Sequence, residues 1–223
     1  MKFGVGAALV VLVSSNGFGQ ISGLLYNNTA NPTGAVYNQP SGIEFGDQIN
    51  FSPVPAGGSY TVQNLSFETF GSGLGDENNS QALVTVRIYD ADTTTTLGLG
   101  NLRVKSLPFV VADGFQTHSL DIPVDYTVGD SGSIFWTVEF ENIPGGGQVG
   151  LTLNDPPTVG SSLNDFAQLT DPQNAATFSF RQFQDGSNAN FTASVTGVAV
   201  PEPGTAALAL IGGAALLGLR RRR

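Results

Sequence analysis

Between residues 20 and 200 the apolar residues recur at every second position, in short runs broken by Gly, Pro, Asn and Asp. That period is the signature of half-buried β-strands. Ala82 to Tyr89 reads ALVTVRIY, placing Val84, Val86 and Ile88 on one face and Thr85, Arg87 and Tyr89 on the other. Ile134 to Phe140 reads IFWTVEF, with Ile134, Trp136, Val138 and Phe140 opposed to Phe135, Thr137 and Glu139. Further strands are predicted at Ile43–Phe45 and Ile49–Phe51 around a Gly46-Asp47 turn or bulge. Tyr60–Val62 leads through Gln63-Asn64 into Leu65–Thr69. Phe115–Ile122, Tyr126–Val128, Gln148–Leu153, Ala176–Phe183 and Asn190–Val198 complete the set.

Turn signals separate nearly every pair, among them Pro55 to Gly58, Gly71 to Asp76, Gly129 to Gly132 and Pro144 to Gly147. About nine or ten short strands at this spacing predict an all-β, two-sheet sandwich of the jelly-roll or Greek-key type. The 29 Gly and 12 Pro agree with many turns, and 15 Phe supply a core. Phe45, Phe51, Phe67, Phe140, Phe178 and Phe180 are the expected aromatic core. No internal repeat points to a propeller or solenoid.

The two ends depart from this pattern. Met1-Lys2 is a short basic region, Phe3 to Val13 an apolar stretch of 11 residues, and Ser14 to Gly19 polar with small residues at Gly17 and Gly19. That is the layout of a secretory signal peptide over 1–19, cleaved after Gly19 to leave Gln20 first, with a cut near Gly17 the alternative. At the other end, Val200-Pro201-Glu202-Pro203 precedes 204–219, which carries no charge, and then Arg220, Arg221, Arg222 and Arg223. As a helix those 16 residues span roughly 24 Å. That is short for a hydrocarbon core of about 30 Å but feasible with snorkelling arginines. The arginines hold the C-terminus in the cytoplasm, and the signal peptide sends the body to the opposite side. The expected organisation is a signal peptide (1–19), a sandwich (20–197), and a linker with a single transmembrane helix (204–219) and basic tail (220–223) over 198–223.

The order Val-Pro-Glu-Pro, Gly/Ala/Leu-rich span, terminal arginines resembles the PEP-CTERM sorting signal over about Ala199 to Arg223. The resemblance implies an exosortase substrate: a Gram-negative export protein whose tail is cut near Pro201–Pro203 by a membrane protease. It concerns routing, not the chemistry of the body. The segments Gly150 to Phe166 and Arg87 to Gly98 also resemble sandwich bodies attached to such tails, and assign no activity.

Charge and side-chain chemistry narrow the function classes. The span 20–200 holds four basic residues (Arg87, Arg103, Lys105, Arg181) against 17 acidic ones, a formal charge near −13. That surface repels nucleic acid. With no Cys, disulfides and thiolate chemistry are excluded. His118 is the single histidine. It lies near Asp113 and Asp121 in sequence, but no nucleophile elbow accompanies it, and an exposed strand histidine is the expectation. Asp76, Glu77, Asn78 and Asn79, with Asp90 and Asp92, offer the oxygen ligands Ca²⁺ prefers, without an EF-hand pattern. Glu139 and Glu141 share one face of their strand, about 6.5–7 Å apart. That spacing admits an acid-active hydrolase with two carboxylates. Trp136, Tyr89 and Tyr60 are candidates for a sugar-stacking platform, with Trp136 expected in the core because it shares a face with Phe140. N-glycosylation patterns at Asn27, Asn64, Asn78 and Asn190 are expected by chance in an Asn/Thr-rich chain.

The resulting expectation is a non-enzymatic structural or adhesive sandwich. It is exported through the translocon, trimmed by signal peptidase, held transiently in the inner membrane, processed by exosortase and delivered to the cell surface or extracellular matrix. No cofactor is required. A carbohydrate-binding module of the polysaccharide matrix, Ca²⁺-dependent or not, and a permanently tail-anchored envelope protein are the alternatives.

Overall fold

The computed structural model describes residues 21–52, 59–75, 81–92, 98–123, 126–128, 132–172, 177–183 and 190–200. Among these residues sixteen strands follow one another: β1 (Ile21–Asn27), β2 (Pro32–Asn38), β3 (Glu44–Asn50), β4 (Ser59–Ser72), β5 (Ala82–Asp92), β6 (Gly98–Lys105), β7 (Phe109–Val111), β8 (Gly114–Asp121), β9 (Thr127–Val128), β10 (Ser133–Glu141), β11 (Gln148–Asn154), β12 (Ser161–Ser162), β13 (Asp165–Leu169), β14 (Phe178–Gln182), β15 (Asn190–Phe191) and β16 (Ala193–Val200).

They form two antiparallel sheets. The first runs β1-β16-β4-β11-β15, with β2 on β11 and β8 and β9 on β4. The second runs β14-β13-β3-β10-β5-β6, with β12 on β3 and β7 on β5. The chain crosses repeatedly between sheets, and the two-sheet all-β sandwich expected from the strand spacing is what the residues build.

Alternation explains the core. Val84, Val86, Ile88, Ile134, Trp136, Val138 and Phe140 leave the second sheet on its inner side and meet Leu65, Phe67, Leu151, Phe191 and Val195 of the first. Trp136 is fully buried, with ring centroids 5.8 Å from Phe67 and 6.4 Å from Phe191.

Several local expectations are corrected. Gly46-Asp47 is no turn: β3 passes straight through it, paired in unbroken register with β10 from Asn50↔Ser133 to Glu44↔Glu139. Gly46 is there because a Cβ would sit 2.0 Å from the Trp136 carbonyl oxygen, so the strands close only without a side chain. The two runs either side of Gln63 are one strand, β4. Opposite Gly197 and Thr196 the register slips by one residue between Val62 and Asn64. This bulge lets Tyr60 and Val62 share the buried side with Leu65 and Phe67. Phe178 and Phe180 lie outside the main core. They pack half-buried with Phe135, Tyr89 and Ala167 on the outer side of the second sheet. The strand predicted to end at Val198 continues to Val200.

At one corner Asn28 is wholly buried, and its Nδ2 donates to the carbonyls of Asn154, Asn190 and Phe191 at 3.0–3.3 Å. Asn154 returns a bond to the Asn28 carbonyl at 2.9 Å. A side-chain amide thus closes backbone groups where β11 and β15 end.

Candidate functional site

On the outer side of the second sheet, alternation brings Arg87 and Tyr89 of β5, Thr137, Glu139 and Glu141 of β10 and Glu44 of β3 together. Thr137 is the register partner of both Arg87 and Gly46, and Glu139 that of Glu44. The missing side chain at Gly46 lets β3 and β10 approach closely beneath this cluster. Arg87 Nη2 donates to Glu139 Oε2 at 2.7 Å, and its Nη1 lies 3.2 Å from Glu44 Oε2. Tyr89 Oη donates to Glu44 Oε1 at 2.7 Å, and Thr137 Oγ1 donates to the same oxygen. Glu44 is wholly inaccessible, while Arg87 and Glu139 are 7% and 8% exposed.

Burial pushes the Glu44 carboxyl up from its ordinary value, against the pull of Thr137, Tyr89 and Arg87. Burial and the Glu44 charge push the Tyr89 hydroxyl up. For Arg87, burial works against the cation, but Glu44 and Glu139 more than offset it, and its pKa rises. The cluster is an interlocked ionic hub rather than a set of free reagents.

Above it lies a groove of about 570 Å³, lined by Arg87, Asn101, Lys105, Glu139, Glu141 and Asp171. Glu139 and Glu141 do share one recess, as their strand positions predicted. A hydrolase needs a protonated acid in contact with substrate. Glu44, the carboxyl raised by burial, lies fully buried under three partners, and Glu139 is held by Arg87.

The other candidates fall in different places. His118 is half-buried, not an exposed strand residue. Its ring stacks on Phe67 at 5.1 Å and lies 5.6 Å from Phe109, and its Nε2 is 2.9 Å from Thr69 Oγ1. Burial lowers its pKa. Asp113 accepts from the Leu74 amide at 3.0 Å and Asp121 from Asn64 at 3.1 Å, so neither is paired with His118. Trp136, Tyr60 and Tyr89 are 0%, 0% and 6% exposed and form no stacking platform. Asn190 is buried, which removes it as a glycan acceptor.

Asp90 accepts from Arg103 Nε at 2.6 Å, and Asp92 pairs with Gly98 at the end of β5 through its backbone. Asp76, Glu77 and the side chain of Asp92 lie outside the described residues. Among the described residues no group of three or more acidic or histidine side chains converges on a metal position.

Sequence reasoning missed the hub, whose Arg87–Glu139 pair joins residues 52 apart. The available signal was Arg87 itself, one of four basic residues of the body, set in the middle of an apolar strand.

Of the terminal segments, Val200 ends β16 opposite Ser59, and Ala199 pairs with both Ile21 and Tyr60. Gly17, Gly19, Gln20, Pro201, Glu202, Pro203, the 204–219 span and Arg220 to Arg223 lie outside the described residues, among which no helix is long and apolar enough to cross a membrane. No curated protein and no solved structure matches the chain. The family model for the PEP-CTERM protein-sorting motif matches residues 199–223, so this chain carries an exosortase-targeting signal and is an exported surface or extracellular protein with a β-sandwich body.

Proposed function

We propose that the sandwich is a non-enzymatic structural or adhesive module of the cell surface or extracellular matrix, needing no cofactor. Residues 1–19 are removed by signal peptidase after translocon export. The 204–219 span holds the body briefly in the inner membrane with Arg220 to Arg223 on the cytoplasmic side, and exosortase cuts near Pro201–Pro203. The sorting-motif match supports the routing in this reading. Its physical support is the antiparallel pairing of Ile21 with Ala199, which sets the start and the end of the sandwich side by side. Both terminal segments therefore leave one pole, as a body held against one membrane plane requires. The commitment of Glu139 and Glu44 to Arg87 supports a module without catalysis.

Intact mass of the protein recovered from the envelope and the medium tests the routing. The expected mass lacks residues 1–19 and everything beyond the Pro201–Pro203 region. A mature protein that keeps Arg220 to Arg223 overturns the processing step and leaves a permanent tail anchor.

A further inference from the structure

A second recess lies on the opposite side of the molecule, on the outer surface of the first sheet. There β4 and β8 pair in strict register, so their outward residues form cross-strand rows: Phe70 with Phe115, Glu68 with Thr117, Ser66 with Ser119, Asn64 with Asp121. Phe115 is 66% exposed, and its ring lies 5.0 Å from Phe70 at 51°. The pair stabilises the β4–β8 ladder and at the same time leaves an aromatic face open to water. One row along, about 6.5–7 Å by the strand repeat, a depression of about 480 Å³ opens, lined by Ser66, Glu68, Thr117, Asn154, Thr192 and Ser194. That volume falls within the roughly 300–1,000 Å³ of small-molecule sites.

Two details point to a ligand. Thr192 is 6% exposed and lines the recess, yet its hydroxyl has no hydrogen-bond partner among the described residues. A buried hydroxyl left unpaired is costly, and rotation of the Thr192 side chain toward the recess lets a hydroxyl-bearing ligand supply what it lacks. Glu68 also has no ion pair or side-chain hydrogen bond among the described residues, although it is half-buried. Its neighbours are already ordered: Asn64 donates to Ser119 and Asp121 at 2.8 and 3.1 Å, and Ser66 donates to Asn64 at 3.1 Å.

We infer that this face binds a neutral polysaccharide, one sugar ring stacking on the Phe70–Phe115 pair and the next placing hydroxyls on Glu68, Thr117 and Thr192. The class follows from the lining. Glu68, with no basic residue among the described lining groups, repels uronates, sulfates and phosphates. Hydroxyls and one carboxylate acceptor suit the vicinal hydroxyls of a sugar, and an aromatic ring suits its C–H face. The inference rests on the reading of the body as a matrix module and gives it a partner.

The test is affinity electrophoresis of the full-length chain in detergent through gels holding neutral galactomannan, neutral mixed-linkage glucan or anionic alginate. The expected result is retardation by at least one neutral polymer and none by alginate. Phe115→Ala is expected to weaken it about tenfold, the scale of one lost stacking contact. Glu68→Gln weakens it, and Lys105→Ala, in the groove of the other sheet, leaves it unchanged. Phe115 is surface-exposed, so its variant folds, and near-UV circular dichroism checks this. No retardation by either neutral polymer, equal retardation of Phe115→Ala and wild type, or stronger retardation by alginate overturns the inference. The two readings separate cleanly. Loss of glycan binding with both ends trimmed defeats the site alone, and binding with an untrimmed tail defeats the routing alone.

Discussion

Asp47 gives the sharpest test of the fold. It sits on β3 opposite Trp136, faces inward between the sheets and is 1% exposed. Among the described residues neither carboxylate oxygen has a partner at hydrogen-bonding geometry, and neither does the nearby Tyr26 hydroxyl. Burial pushes its pKa well above the ordinary value. Asp165 pushes the same way, and Ser162 and the backbone of Gln48 and Phe191 oppose. The native state therefore keeps a proton that the unfolded chain releases above about pH 3.9. With one more proton bound in the native state, stability is fully present below the unfolded pKa and falls as pH rises toward the folded one. The slope is about 1.4 kcal/mol per pH unit.

Asp47→Asn keeps the shape and removes the titration. The variant is expected to gain on wild type by about 1.5 kcal/mol at pH 5 and about 1.4 kcal/mol more per further unit, until the native pKa is reached. Urea unfolding from pH 4 to 8, followed by the fluorescence of Trp136, measures both curves. Only the difference between them is diagnostic. Glu44 and Asp165, both raised by burial, add slopes of the same sign to both proteins. His118, lowered by burial, adds the opposite sign, losing stability as pH falls below about 6.5. Parallel curves for variant and wild type would refute the burial argument.

Other outcomes follow from the same contacts. Arg87→Met strands the buried carboxylates of Glu44 and Glu139 and is expected to cost about 3–5 kcal/mol in denaturant unfolding; a loss within experimental error would mean that water reaches the hub. Gly46→Ala forces a Cβ against the Trp136 carbonyl and is expected to cost about 3 kcal/mol or more, read from the denaturation midpoint, whereas a midpoint equal to wild type would contradict the close strand approach. Chelator is expected to leave Tm unchanged, since Asp90 already holds Arg103; a Tm that rises with added Ca²⁺ would assign a cation to the sandwich. The chain lacks cysteine, so labelled Ser59→Cys and Phe115→Cys are clean depth probes. With the tail in a bilayer, headgroup quenchers are expected to reach the first and not the second, and equal quenching would contradict the single-pole geometry.

What the sequence made legible was whatever alternation alone determines. β5 and β10 have β-branched and aromatic residues in strict period 2, and Trp136 shares its face with Phe140; both strands and the core position of that Trp were readable for that reason. β1, β2 and β6 were not, because Gly23, Pro32, Gly34, Gly98 and Gly100 break the pattern. Their strand state comes from pairing with β16, β11 and β5, which is tertiary information. Gly46-Asp47 has the composition of a turn and the geometry of a core strand, since a close crossing demands Gly as firmly as a turn does. At the groove, the shared face of Glu139 and Glu141 was visible from their spacing, but their chemistry was not. Arg87 and Glu44 reach Glu139 from two neighbouring strands, and no local window contains all three.

The placement of the two ends explains why a long bulged strand lies at the centre of the first sheet. β4 begins at Ser59, beside Val200, where the sorting tail leaves. It runs 14 residues, and Phe70 lies near its far end. At about 3.3 Å per residue, the Phe70–Phe115 pair stands roughly 35 Å from the tethered pole. Under the proposed routing, the open aromatic pair lies at the end of the body far from the tether, and the Gln63 bulge allows one strand to reach both poles without exposing Leu65 and Phe67. Removing the tail leaves this face unchanged. The address at 199–223 and the proposed glycan face are therefore separable in this chain, lying toward opposite ends of β4.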